Sequence, residues 1–191
     1  MPLNEPTPPD VAQSTFLKGL GAPTNTRLLR FSLPIYVLSL QELSKDNPDL
    51  KPRAAGWHFV AVDGRGLVAG EVPNLPDRTD RGEQFTTSLN FGPPVEEFWK
   101  AYGQVKKHPK LQSQSFELRT LRVNGLRIDA FWVKAAPFDG RLYDKDLLYA
   151  FLAFQEELKN RLVPALEFLK IVRKLAAERI LVDNSPNLPE G

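Results

Sequence analysis

The stretch Phe116-Glu117-Leu118-Arg119-Thr120-Leu121-Arg122-Val123-Asn124-Gly125-Leu126-Arg127-Ile128-Asp129-Ala130-Phe131-Trp132-Val133-Lys134 decides the fold. Two runs of β-branched and aromatic residues flank Asn124-Gly125. That dipeptide favours a two-residue hairpin turn, because both turn positions need positive φ. Side chains alternate strictly along a strand, so a register assigns every residue to a face. A two-residue turn places Val123 opposite Leu126 and Arg122 opposite Arg127.

One face then carries Val123, Leu126, Leu121, Ile128, Arg119, Ala130, Glu117 and Trp132. The other carries Arg122, Arg127, Thr120, Asp129, Leu118, Phe131, Phe116 and Val133. The apolar residues change faces partway along. A β-bulge near Arg119–Thr120 or Asp129–Ala130 would shift the alternation. Alternatively both faces are covered, one by a helix and the other by a second helix or another protein molecule. Like charges facing each other across a ladder are destabilising, by up to about 1 kcal/mol. Water near the turn would screen the Arg122–Arg127 pair; its functional reading is an acceptor for anionic groups.

Working outward, Asp10 is placed to cap a short helix from Val11 to Leu20, ended by Gly19 and Gly21. Ile35-Tyr36-Val37-Leu38 reads as a strand opened by Pro34, and Leu38 to Lys45 fits a strand or a helix. Trp57 to Asp63 and Leu67 to Val72 form two strands joined at Gly64-Arg65-Gly66. A polar loop from Asn74 to Gln84 and a strand from Phe85 to Phe91 follow. Gly92-Pro93-Pro94 starts a helix to about Lys107, with Val95, Phe98, Trp99, Tyr102 and Val105 as its apolar stripe.

After the hairpin, a helical region is expected from about Asp144 to Val182, with a kink or two abutting helices at Pro164 and a heptad-like apolar seam. The expected fold class is α+β: a single antiparallel sheet of about five to six strands packed by helices. Residues 1–9 are expected to be a flexible Pro-rich N-terminus, residues 10–183 a single α+β domain, and residues 184–191 a flexible tail.

The composition narrows the function classes. The chain has 191 residues with 42% hydrophobic and 25% charged, enough to bury a core. Its 25 basic and 23 acidic residues leave a formal net charge of +2, too balanced for a dedicated nucleic-acid binder. There is no cysteine, which excludes disulfides, thiolate nucleophiles and cysteine-bound zinc. The first residues do not resemble a signal peptide, and no run approaches the ~18 apolar residues of a membrane span. A soluble, cytoplasmic protein is the expectation.

Chemical motifs are sparse. Gly64-Arg65-Gly66-Leu67-Val68-Ala69 matches a dinucleotide fingerprint, but Gly70, Pro73 and Pro76 forbid the helix that must follow. The two prolines and Glu96-Glu97 make the helix start at Gly92 a poor phosphate cradle. The only histidines are His58, in a strand, and His108, at a helix end, so a two-histidine metal site would require distant parts of the fold to converge. Asp144 and Asp146 read as helix caps; with Asp139 they lack the order of a calcium loop.

Two functional readings follow. The leading one is a non-catalytic protein-interaction or assembly subunit, self-associating as a homodimer, without cofactor or metal. It rests on the scarcity of catalytic side chains, the two apolar hairpin faces and the seam of the C-terminal helix. The alternative is a small-molecule-binding domain or minor hydrolase using a pocket between sheet and helices. Trp57, His58, Trp99 and Trp132 would line that pocket, and the loop from Asn74 to Gln84 would close it. Arg119, Arg122 and Arg127 complete the candidate ligand- or partner-binding residues.

Overall fold

The computed structural model describes residues 3–22, 28–45, 47, 50–64, 66–74, 88–112 and 114–183. Among the described residues eight strands form one sheet: β1 (Leu29–Val37), β2 (Arg53–Asp63), β3 (Gly66–Pro73), β4 (Ser88–Phe91), β5 (Phe116–Val123), β6 (Ile128–Ala135), β7 (Leu147–Leu152) and β8 (Leu162–Pro164). The α-helices among the described residues are α1 (Asp10–Gly19), α2 (Leu40–Ser44), α3 (Pro93–Lys106) and α4 (Ala165–Asp183). The sheet order is β4-β3-β2-β1-β5-β6-β7-β8, antiparallel throughout except for the central β1–β5 pair. This is a mixed α+β fold with one large, mostly antiparallel sheet and a long C-terminal helix.

The order divides into two similar halves. Each is a four-stranded antiparallel meander followed by a helix, β1 to β4 with α3 and β5 to β8 with α4. The halves meet along a parallel pair with mirrored strand order, and their helices lie on opposite faces of the sheet. Val95, Phe98, Ala101, Tyr102 and Val105 of α3 pack with Phe116, Leu118, Phe131 and Val133. Phe168, Leu169, Val172 and Ala176 of α4 pack with Leu121, Val123, Ile128, Ala130 and Trp132, joined by Leu38 and by Leu43 of α2. On the α4 side of the other half, Phe16 of α1 stacks on Phe59 at 4.9 Å.

The hairpin therefore has both faces covered, and its own chain supplies both covers. The β5–β6 ladder runs unbroken from Val123–Ile128 to Phe116–Ala135. Its turn is longer than expected: Asn124–Leu126 make one 3-10 turn and Arg127 takes the left-handed conformation at φ 53°. Every partner moves by two residues, which preserves the face assignments but corrects the pairs. Arg122 faces Asp129, not Arg127, so the repulsive pair does not exist. Gly125 is needed for contact rather than for its φ. A Cβ there would lie 2.6 Å from Leu40 Cγ of α2.

A register shift does occur beside Asp129–Ala130, but in the β6–β7 ladder, where Asp129 pairs with Leu152 and Ala130 with Ala150. The extra residue is Phe151 on β7. The C-terminal region is corrected too. The first half of the expected helix is β7 and β8, and only Ala165–Asp183 is helical. Apolar runs this short fit both periods, and the open edge of β6 takes Leu147–Leu152 as a partner. Pro164 closes β8 and directly precedes α4, where its missing N–H costs nothing, so there is no kink inside a helix.

Smaller differences have local causes. Pro34 lies inside β1 rather than opening it, and the β1–β5 ladder begins just past it at Ile35–Thr120. The ambiguous segment after β1 is helical because Ser39 and Glu42 form a capping box. Asp10 is the first helical residue of α1, not its cap. At the N-terminus, Asn4 bonds to both Phe116 and Leu118 of β5, each at 2.8 Å. Tyr102 of α3 donates to Glu5, and Lys106 reaches the same carboxylate at 3.1 Å. Residues 75–84 of the expected loop, 85–87 of the expected strand and the tail 184–191 lie outside the described residues.

Candidate functional site

On the α3 face, β2 and β3 form a hairpin in which His58 pairs with Glu71. His58 Nδ1 lies 3.2 Å from Glu71 Oε1. From the other half of the sheet, the Arg122 guanidinium reaches across to hold both Glu71 oxygens, Nη1 to Oε2 at 2.6 Å. The same guanidinium places Nε 3.3 Å from Asp129 Oδ1. Four side chains from β2, β3, β5 and β6 thus form one chain of contacts across the middle of the sheet.

Burial would push the Glu71 carboxyl up, but hydrogen bonds from His58 and Arg122 and the Arg122 charge hold it at about 2. Glu71 is consequently ionised at neutral pH and only accepts hydrogen bonds. His58 Nδ1 must carry the proton it donates to this carboxylate. Nε2 is buried and has no hydrogen-bond partner among the described residues. His58 as a whole is only 6% exposed, under the ring of Phe98 at 4.4 Å. Asp129 is shifted the other way from Glu71, upward, because burial outweighs the pull of Arg122.

These groups line a cavity of about 250 Å³ between α3 and the sheet. Its walls include Ala69, Asn90, Val95, Phe98, Phe151 and Leu152, with Pro94 and Glu97 contributed by α3. Phe151 alternates with Ala150 onto the α3 side and meets Phe98 ring against ring at 5.0 Å, and the β6–β7 bulge adds Leu152, the partner of Asp129, to the same lining. A wider groove of about 460 Å³ lies on the other flank of α3, lined by Lys100, Gln104, His108, Tyr149 and Lys159. Its charged side chains are exposed, so it offers weaker electrostatics than the buried cluster.

A second polar cluster lies on the opposite face and is closed. Asp146, fully buried, accepts from Trp132 Nε1 at 2.9 Å, Ala135 N at 2.9 Å, Tyr143 N at 3.0 Å and Lys134 Nζ at 3.3 Å. Its backbone carbonyl accepts from Ala165 N at 2.9 Å, where α4 begins. Arg119 is spent in the same region. It donates to Glu117 at 2.6 Å and to the Phe138 carbonyl at 2.7 Å, and sits 4.9 Å from both the Tyr36 and Trp132 rings. This network pins the 136–146 loop to β6. It supersedes the expected capping role of Asp146.

Of the seven sequence-derived candidates, the structure brings His58 and Arg122 together at the cavity. Trp132 and Arg119 meet each other in the closed network. Trp99 stacks on Phe31 at 5.7 Å, Trp57 packs on the α1 side of the sheet, and Arg127 is exposed in the hairpin turn. Glu71, Asp129, Phe98 and Phe151 were missed as site residues. The register logic used for the main hairpin, applied to the one around Gly64, places His58 opposite Glu71. Nothing local to Phe151 announces its bulge.

Among the described residues no group of three His, Asp or Glu side chains could hold a metal ion. No helix among them is long and apolar enough to cross a membrane. Compared with protein-family models, curated proteins and solved structures, the chain matches none.

Proposed function

We propose that this protein is a non-catalytic binder of a small molecule, held in the cavity between α3 and the sheet. The observation that carries the reading is His58, whose Nδ1 is tied to Glu71 while its buried Nε2 lacks a partner. An unsatisfied buried polar atom costs about 1–3 kcal/mol, which a bound ligand would recover. A carboxylate-oriented histidine is also suited to act as a base. Among the described residues lining the cavity there is no Ser, Thr or Cys for it to activate, which favours binding over hydrolysis through a covalent intermediate.

The test uses the exposed rim residue Asn90. Small polar compounds are screened for thermal stabilisation of the full chain, where a ligand at a hundredfold its Kd adds about 2.7 kcal/mol. Asn90→Trp, which fills the mouth without entering the core, should abolish the stabilisation by genuine ligands. Compounds that stabilise both proteins equally would overturn the reading.

Assembly through protein contacts is the second reading. The two hairpin faces no longer motivate it, since the chain covers both. It is favoured instead by Phe154 and Leu181, each 71% exposed. Light scattering that gives a monomer at high micromolar concentration would refute it.

A further inference from the structure

We propose that the groove on the other flank of α3 binds a phosphate monoester, its phosphoryl group taken by Lys100, Lys159, Gln104 and His108 and its organic body laid against Tyr149 and Phe151. The site is separate from the cavity assigned above and does not depend on that reading. Three observations carry it: two ammonium groups without an acidic partner, two polar side chains whose acceptor atoms are already used, and an aromatic floor.

Lys100 comes from α3 and Lys159 from the segment between β7 and β8, so two different elements each bring a cation to the groove. Neither lysine forms an ion pair among the described residues. The one acid in the lining, Glu97, lies two turns before Gln104 on α3, about 10 Å along the helix axis. It stands where the groove adjoins the smaller cavity, which it also lines. Lys107 and Lys110, beside His108 in the chain, add positive field at the far end.

The neutral polar groups present donors as well. Tyr149 O–H donates to Gln104 Oε1, which leaves the Gln104 amide nitrogen for a ligand. His108 Nδ1 accepts from the Lys110 backbone N–H at 3.3 Å, so the ring proton sits on Nε2, which can only donate. A phosphoryl group offers three acceptor oxygens and a charge of about −1.5 to −2, which suits two ammonium groups and two neutral donors. A carboxylate has one charge and one oxygen fewer.

The frame is set before a ligand arrives. Lys100 and Gln104 stand on a helix, and the segment carrying Lys159 is tied back to β7 by the Asn160 N–H, which donates to the Ala150 carbonyl at 2.8 Å. Buried Tyr149 and half-buried Phe151 give an organic body an aromatic surface. The volume of about 460 Å³ falls within the ~300–1,000 Å³ of small-molecule sites.

Phenyl phosphate, inorganic phosphate and phenol, titrated against the full chain by calorimetry and amide NMR, test the assignment. Phenyl phosphate should bind at least about tenfold more tightly than either of the others and shift the Lys100, Gln104 and Lys159 signals. Raising the salt from about 50 to about 300 mM should weaken it severalfold. Lys100→Gln and Lys159→Gln, at exposed positions, should each weaken it about fivefold, whereas Lys170→Gln on the exposed side of α4 should not. Asn90→Trp, at the mouth of the other cavity, should leave phenyl phosphate binding intact; its loss there would move the ligand to that cavity and overturn the groove assignment. Phenol or inorganic phosphate binding as tightly as phenyl phosphate would overturn it too, as would unchanged affinity in the double lysine variant. Absence of binding at about 10 mM would remove the groove site and leave the cavity reading standing.

Discussion

Replacing Glu71 with Gln removes the charge that organises the cavity cluster while keeping the side-chain shape and one carbonyl acceptor. In the folded protein the carboxyl is held at about 2, against an ordinary 4.5. At about 1.4 kcal/mol per unit, that difference makes ionised Glu71 worth about 3 kcal/mol of stability. Because the folded value is the lower one, the contribution is complete above about pH 4.5 and is lost as pH falls toward about 2. Gln has nothing to titrate.

Urea unfolding followed by tryptophan fluorescence, at a series of pH values from 7 down to 3, reads the effect. The variant should be less stable than the wild type by about 3 kcal/mol at pH 7. The gap should narrow steadily below pH 4.5. A gap under about 0.5 kcal/mol at pH 7, the range of an ordinary surface substitution, would refute the claim that Glu71 anchors His58 and Arg122. So would a gap that stays constant across the whole range.

The closed network and the sheet spacing give further expectations. Asp146→Ala strands three buried donors and the Lys134 cation, and should cost roughly 3–5 kcal/mol in chemical denaturation. Adding Lys134→Met should recover part of that loss; a second, additive loss would show that the pair does not act as one unit. At Gly56 a Cβ would lie 2.4 Å from the Val72 carbonyl oxygen and 2.8 Å from Pro73 Cα, backbone atoms of β3 that cannot give way. Gly56→Ala should therefore destabilise by about 3 kcal/mol or more, measured by thermal unfolding. Gly103 in α3 has open space around it, and Gly103→Ala should stabilise by about 0.5–1 kcal/mol. The opposite order of these two glycine variants would contradict the β2–β3 register.

Several elements were legible locally. The α3 stripe of Val95, Phe98, Tyr102 and Val105 follows helical spacing after two prolines, and it is the stripe that α3 buries. The two strands around Gly64 alternate as strands should, and their pairing carries the His58–Glu71 contact within it. The site stayed hidden because its other half comes from elsewhere. Arg122 and Asp129 lie some fifty residues beyond Glu71, and only the parallel docking of β5 on β1 brings them within reach. The segment from Leu147 to Leu162 was misassigned for a related reason. Its residues fit both a helix and a strand, and the free edge of β6 decided between them.

The hairpin from Phe116 to Lys134 marks the boundary between the two kinds of information. Its sequence alone determined that it is a hairpin and which residues share a face, and left a bulge or a cover on both faces as the alternatives, because alternation and turn chemistry act over a few residues. The tertiary structure alone decided what covers them and which residues pair. Gly125 passes close to Leu40 of α2, the turn spans Asn124 to Arg127 with Arg127 in the left-handed conformation, and Arg122 meets Asp129. α3, before the hairpin in the chain, and α4, well after it, then close the two faces. Those contacts depend on the sum of burial over distant elements, a quantity that no short window of sequence contains.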